Sequence, residues 1–103
     1  IFAFILISRM DKKTEEFYER LKEELRTTSD WPSIYLYKFI VPTDTIKILA
    51  VENAFDNMGA VINTQQSKTG KFTSISINVS MLSPEHVVEK YIDVSSVEGI
   101  ISL

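Results

Sequence analysis

The most constraining stretch of the chain runs from Ser74 to Met81, where Ile75, Ile77, Val79 and Met81 alternate with Ser74, Ser76, Asn78 and Ser80. A period of two, with one apolar and one polar set, is the pattern of a strand with one dry and one wet face. Ala60 to Ser67 precedes it across the short break Lys68, Thr69, Gly70, Lys71, so Ala60 to Leu82 reads as a hairpin. Gly70 can supply the positive φ that such a turn requires. Full burial of the four apolar side chains is worth roughly 1.5–3 kcal/mol each, a gross sum comparable with the ~5–15 kcal/mol net stability of a domain. The dry face specifies a fold. The wet face, with Ser74, Ser76 and Asn78, and the turn, with Lys68 and Lys71, are where a binding surface has room to sit.

The elements around the hairpin follow from the same rules. Thr14 to Arg26 is helical, with Phe17, Leu21 and Leu25 in one row and Tyr18 beside it, and with Glu15 and Glu16 in the first turn. Thr27 to Ser33 breaks that helix, and Trp31 within the break reads as an anchor onto the domain. Ile34 to Val41 is a strand apolar on both faces, with Lys38 as its one charge, which places it in the middle of a sheet. A second helix is expected from about Thr45 to Asn57, capped at its start by Thr43, Asp44 or Thr45 and closed by Gly59. Leu49 falls outside its apolar arc, as a second contact or as an ordinary exposed leucine. Ser83 and Pro84 open a third helix with Val87, Val88, Tyr91 and Ile92 as its stripe, and Gly99 precedes a last strand, Ile100 to Leu103.

The resulting order, a helix followed by β-α-β-β-α-β, has one common compact solution. It is an α+β, ferredoxin-like sandwich with a four-stranded antiparallel sheet, two helices on one face and an extra N-terminal helix. Right-handed crossovers put its first and third strands side by side in the centre. The expected division of the chain is Ile1 to Arg9 as an apolar leader or upstream sequence, with an extra strand or the remnant of a membrane anchor as the alternatives, Met10 to Asp30 as helix and linker, and Trp31 to Leu103 as the domain. The other face of the sheet is open, covered by the N-terminal helix, or buried against a second subunit.

With 103 residues, 45% hydrophobic, the chain can bury one core and not two. A net charge of −3 and the absence of a basic stripe argue against nucleic-acid binding. So does the expected polar face, which carries Phe72 alone where RNA-recognition sheets of the same order stack bases on two or three aromatics. No cysteine is present, which removes disulfides, thiolate catalysis and Cys-based metal sites, and the cytoplasm is the default compartment. The almost wholly apolar run Ile1 to Ser8 is, at eight residues, too short to cross a bilayer, so no membrane partner is expected.

The Tyr37–Lys38 pair, the run Ser67, Lys68, Gly70 with Ser74, Ile75, Ser76, Ile77 and Asn78, and the apolar end at Leu103 resemble the YbeD-like family of small bacterial proteins of unknown function. The resemblance covers roughly Trp31 to Leu103. It implies a ferredoxin-like fold similar to the ACT regulatory domains, which bind small effectors at subunit interfaces, and an association with lipoate metabolism. It supplies no catalytic residues. The loop Val41 to Thr45 departs from amino-acid-binding ACT domains, which place a Gly after the first strand.

Ser67 to Lys71 is no P-loop: Gln65 stands where the first Gly belongs, Phe72 where the Ser/Thr belongs, and the segment joins two strands. His86, the one histidine, has neither metal co-ligands nor triad partners at recognisable spacing. The acid-base alternative rests on Lys38, whose amine would titrate near neutrality if desolvated. The expectation is therefore a non-enzymatic regulatory or binding module without cofactor, taking a small effector, a protein partner or a second copy of itself. Lys38, Lys68, Lys71, Ser74, Ser76 and Asn78 are its candidate surface. An adaptor gripping a partner through the N-terminal helix is the other reading.

Overall fold

The computed structural model describes Ile5–Leu6 and residues 12–103. The expectation for Ile1 to Arg9 falls largely on residues outside these. Eight elements follow one another: β1 (Ile5–Leu6), α1 (Lys12–Thr28), β2 (Ser33–Pro42), α2 (Thr45–Asn53), β3 (Val61–Gln66), β4 (Phe72–Met81), α3 (Pro84–Val94) and β5 (Ile101–Ser102). The sheet order is β1-β5-β2-β4-β3, and every pairing is antiparallel. The expected four strands are present, and Ile5–Leu6 adds a fifth by pairing with β5.

Two ten-residue strands, β2 and β4, lie side by side in the centre and pair along their whole length, from Ser33 opposite Met81 to Pro42 opposite Phe72. Alternation then sorts their side chains. Tyr35, Tyr37, Phe39 and Val41 of β2 and Ile75, Ile77, Val79 and Met81 of β4 face the helices. Tyr37, Phe39, Ile75 and Ile77 are fully buried there. The aromatic rings interlock: Tyr37 meets Phe39, Phe55 and Tyr91 with centroids 4.9–5.7 Å apart, inside the range where ring pairs add to area burial.

The helices start where capping oxygens are available. Asp44 accepts from the Ile46 N–H at 2.8 Å at the start of α2, and Ser83 caps α3 ahead of Pro84. α2 ends at Asn53, four residues before the expected Asn57. Its continuation turns through Asn57 (φ 62°) and Gly59 (φ 69°), so the left-handed reversal starts at the asparagine ahead of the glycine. In α3 the buried stripe is Val87, Val88, Tyr91 and Val94, while Ile92 is exposed.

α1 lies on the helix side of the sheet, against α3. Tyr18, Leu21 and Leu25 are buried in the common core, Tyr18 stacks on Tyr91 at 6.3 Å, and Arg26 reaches Glu85 at 2.6 Å. Trp31 is the expected anchor, its indole N–H donating to the Leu25 carbonyl at 3.1 Å and satisfying a helix-end acceptor. α1 therefore does not cover the far face of the sheet. Leu49 is exposed, as an ordinary surface leucine.

Candidate functional site

The far face of the sheet is built from the alternate residues of the same strands. Ile34, Leu36, Lys38 and Ile40 of β2 stand opposite Ser80, Asn78, Ser76 and Ser74 of β4. Beyond β4, Val61, Asn63 and Gln65 of β3 extend these rows, and Ile101 of β5 adjoins Ile40 on the other side. No described helix lies over this face. Ile34 is 73% exposed and Val61 60%, values that leave no room for a covering element.

β2 is central, as its two apolar faces predict, and of the alternatives for the other face of the sheet (open, covered by the N-terminal helix or buried against a second subunit) the described residues of one chain leave it open. Ile34, Leu36, Ile40, Val61 and Ile101 thus belong to the candidate surface. The sequence places β2 in the middle of the sheet without marking its apolar residues as part of a surface. The signal that could have found them is register: they share a face with Lys38 and with the serines of β4.

Of the residues expected in a site, Lys38, Ser74, Ser76 and Asn78 share this one face, with Lys38 directly opposite Ser76. Lys38 carries the only charge among the described strand residues there, and its side chain is exposed. Its backbone carbonyl accepts from the Leu103 N–H at 2.9 Å. Among the described residues Phe72 is the one aromatic on the face, since Tyr35, Tyr37 and Phe39 all point to the helices. A base-stacking platform needs more than that.

Lys68 and Lys71 lie apart from this group, in the exposed turn between β3 and β4. The turn is closed by the Gly70 N–H to the Ser67 carbonyl (2.9 Å), the Ser67 N–H to the Phe72 carbonyl (2.8 Å) and the Phe72 N–H to Ser67 Oγ (3.2 Å), with Gly70 at φ 74°. Beside it, a hollow of about 270 Å³ is lined by Ile40, Gln65, Gln66, Ser67, Phe72 and Ser74. That is small for a ligand cleft.

On the helix side, a wider groove of about 660 Å³ runs between α1 and α3 over Tyr18, Val88 and Ile92, with acidic and basic side chains on its rim. Below it, the Tyr35 and Tyr91 hydroxyls meet at 2.8 Å, and Tyr37 donates to the Val87 carbonyl at 2.8 Å. Burial first, then the neighbouring tyrosine hydroxyls, hold Tyr37 and Tyr91 far above the ordinary phenol range. They are structural, neutral groups. His86 is exposed at the start of α3 with Nδ1 2.7 Å from the capping Ser83 Oγ.

Among the described residues no three His, Asp or Glu side chains are placed to hold a metal ion, and no helix is long and apolar enough to cross a membrane. Comparison with protein-family models, with curated proteins and with solved structures finds no match to this chain.

Proposed function

We propose that the protein is a non-enzymatic binding module whose open sheet face takes a protein partner, in a regulatory role. The observation that carries this reading is the apolar row in which Ile34, Leu36 and Val61 are exposed and Ile40 and Ile101 half-buried, around Lys38, the one cation among the described strand residues of this face. Exposed apolar patches rimmed by polar residues mark interaction surfaces. A partner of matching chemistry presents apolar side chains and a carboxylate that meets the ammonium of Lys38, with the hydroxyls and amides of Ser76, Asn78 and Asn63 fixing its orientation. With strands about 4.8 Å apart the face offers roughly 500 Å², which is below the ~800 Å² per partner of a standard stable interface and suits transient binding.

The ferredoxin-like reading of the fold is supported by the central β2–β4 pair with β5 and β3 flanking it. Together with the YbeD-like residues between Trp31 and Leu103 it favours a regulatory module over an enzyme. A second reading, a small effector in the hollow beside the hairpin turn, is favoured by the convergence of Gln65, Ser67 and Ser74 on an apolar floor of Ile40 and Phe72.

The test compares the full chain with a Leu36→Glu, Lys38→Glu double variant and with Arg20→Glu on α1, each immobilised and exposed to lysate of the native cell. Proteins retained by the parent and by Arg20→Glu, but lost from the double variant, are the expected result. Equal retention by all three chains would sink the assignment of this face. Amide shifts confined to Ser67, Phe72 and Ser74 on titration with small carboxylates, without protein capture, would decide for the hollow.

A further inference from the structure

The sheet ends at β3, and the hydrogen-bond parity of that strand determines what can be added to it. The Ser67 N–H donates to the Phe72 carbonyl at 2.8 Å, continuing the register in which Gln66 stands opposite Thr73. Hydrogen-bonded and non-hydrogen-bonded pairs alternate along an antiparallel ladder. Val61, Asn63 and Gln65 therefore turn their backbone groups toward β4, and Ile62, Thr64 and Gln66 turn theirs to the free edge. No hydrogen bond among the described residues uses those three N–H or three C=O groups.

This edge also lacks the devices that keep edges single. Val61–Gln66 contains no charge and no proline, it pairs in unbroken register with β4, and five of its six side chains are exposed. Unprotected edges of this kind are templates for another strand.

We infer that β3 pairs antiparallel with β3 of a second copy of the chain, about a twofold axis through Thr64, making one ten-stranded sheet. Two requirements select that register. Residues opposite one another must lie on the same face, which restricts the centre of symmetry to a single residue facing its own copy. The edge-directed groups must also meet each other. Centring on Thr64 sets it against the partner copy's Thr64 and sets Ile62 against the partner copy's Gln66, so all the free N–H and C=O groups of both strands are satisfied. Centring on Asn63 pairs only Ile62 with Thr64 and leaves Gln66 without a strand partner. A second copy is the fitting occupant because the strand is complementary to itself in this register, so one sequence supplies both halves of the ladder.

The pairing uses the backbone of β3 and leaves the side chains of the open face free, so it stands or falls separately from the partner surface above. It is a small interface, of the size class of transient complexes.

Sedimentation of the full chain over a hundredfold concentration range should show a weight-average mass rising toward twice 11.8 kDa. Thr64→Pro removes a donor that β4 does not use, and Thr64→Lys sets two like charges on the axis. Each should weaken association about tenfold or more while the thermal midpoint stays within a few degrees. The chain has no cysteine of its own, so Thr64→Cys places one thiol per copy beside the axis. A short homobifunctional thiol reagent should link Thr64→Cys far faster than Ser80→Cys, which lies on β4 away from the edge. A chain that is monomeric at every concentration, or dimers that persist in both Thr64→Pro and Thr64→Lys, or equal linking of the two thiol variants, would overturn the proposal.

Discussion

The hydroxyl of Tyr18 is buried, at 2% residue exposure, and makes no hydrogen bond among the described residues. Leaving such a group unsatisfied costs ~1–3 kcal/mol. Tyr18→Phe is therefore expected to be neutral or to stabilise by up to ~1 kcal/mol, because the ring keeps its stacking on Tyr91 and the penalty disappears. Tyr37→Phe, a change of the same kind, should instead destabilise by about 1 kcal/mol, since Tyr37 donates to the Val87 carbonyl. Urea midpoints at unchanged slope distinguish the two. The pair Arg26–Glu85 gives a pH dependence with a definite sign. The hydrogen bond from Arg26 holds the Glu85 carboxyl below its ordinary range, so its contribution is fully present above the unfolded value of ~4.3 and is lost as pH falls through the lower folded value. Both groups face solvent, so the effect on stability is small. NMR titration should show Glu85 returning toward the ordinary range in Arg26→Gln.

At the level of elements, α1 is integral to the domain. It contributes Tyr18, Leu21 and Leu25 to the core, with Leu21 at 4% exposure, and Leu21→Ala should cost about 2–5 kcal/mol by chemical denaturation. Deleting residues 11–27 should cost far more, which a helix held in reserve for a partner would not. The sequence made α1, β4, the hairpin turn and the start of α3 legible because each rests on local chemistry: periodicity, a glycine at positive φ, a serine followed by proline. The end of α2 was not legible: the regular helix stops at Asn53, and the chain passes through irregular turns before the left-handed residues Asn57 and Gly59, so the glycine marks the end of the turns and not of the helix. The packing of α1 on α3 was hidden as well. Its stripe predicted burial, but only the tertiary contact of Tyr18 with Tyr91 shows against what.

Across the whole molecule the decisive feature is that one side of the sheet holds three helices and the other holds none among the described residues. Ile77, fully buried between these layers, tolerates no charge: Ile77→Asp should abolish the cooperative unfolding transition followed by circular dichroism. The residues of the candidate face were legible only in part. Ser74, Ser76, Asn78 and Lys38 stand out by polarity, whereas Leu36 and Ile40 look identical to core until the register places them beside Lys38. Hydrophobicity reports the wish to be buried, and only the register shows whether a cover is present.

The ten-pair ladder between β2 and β4 has a kinetic consequence. Its partners are far apart in the chain, with Ser33 opposite Met81 and Pro42 opposite Phe72, whereas β3 meets β4 across a four-residue turn. Closing the long loop costs more chain entropy than closing the short one. The hairpin is thus expected to assemble early, and docking of β2 into it to limit the refolding rate. Substitutions in the β2–β4 seam, such as Val79→Ala, should slow refolding, while those in α1, such as Leu25→Ala, should chiefly hasten unfolding. Stopped-flow chevrons of the two variants read that order of events directly.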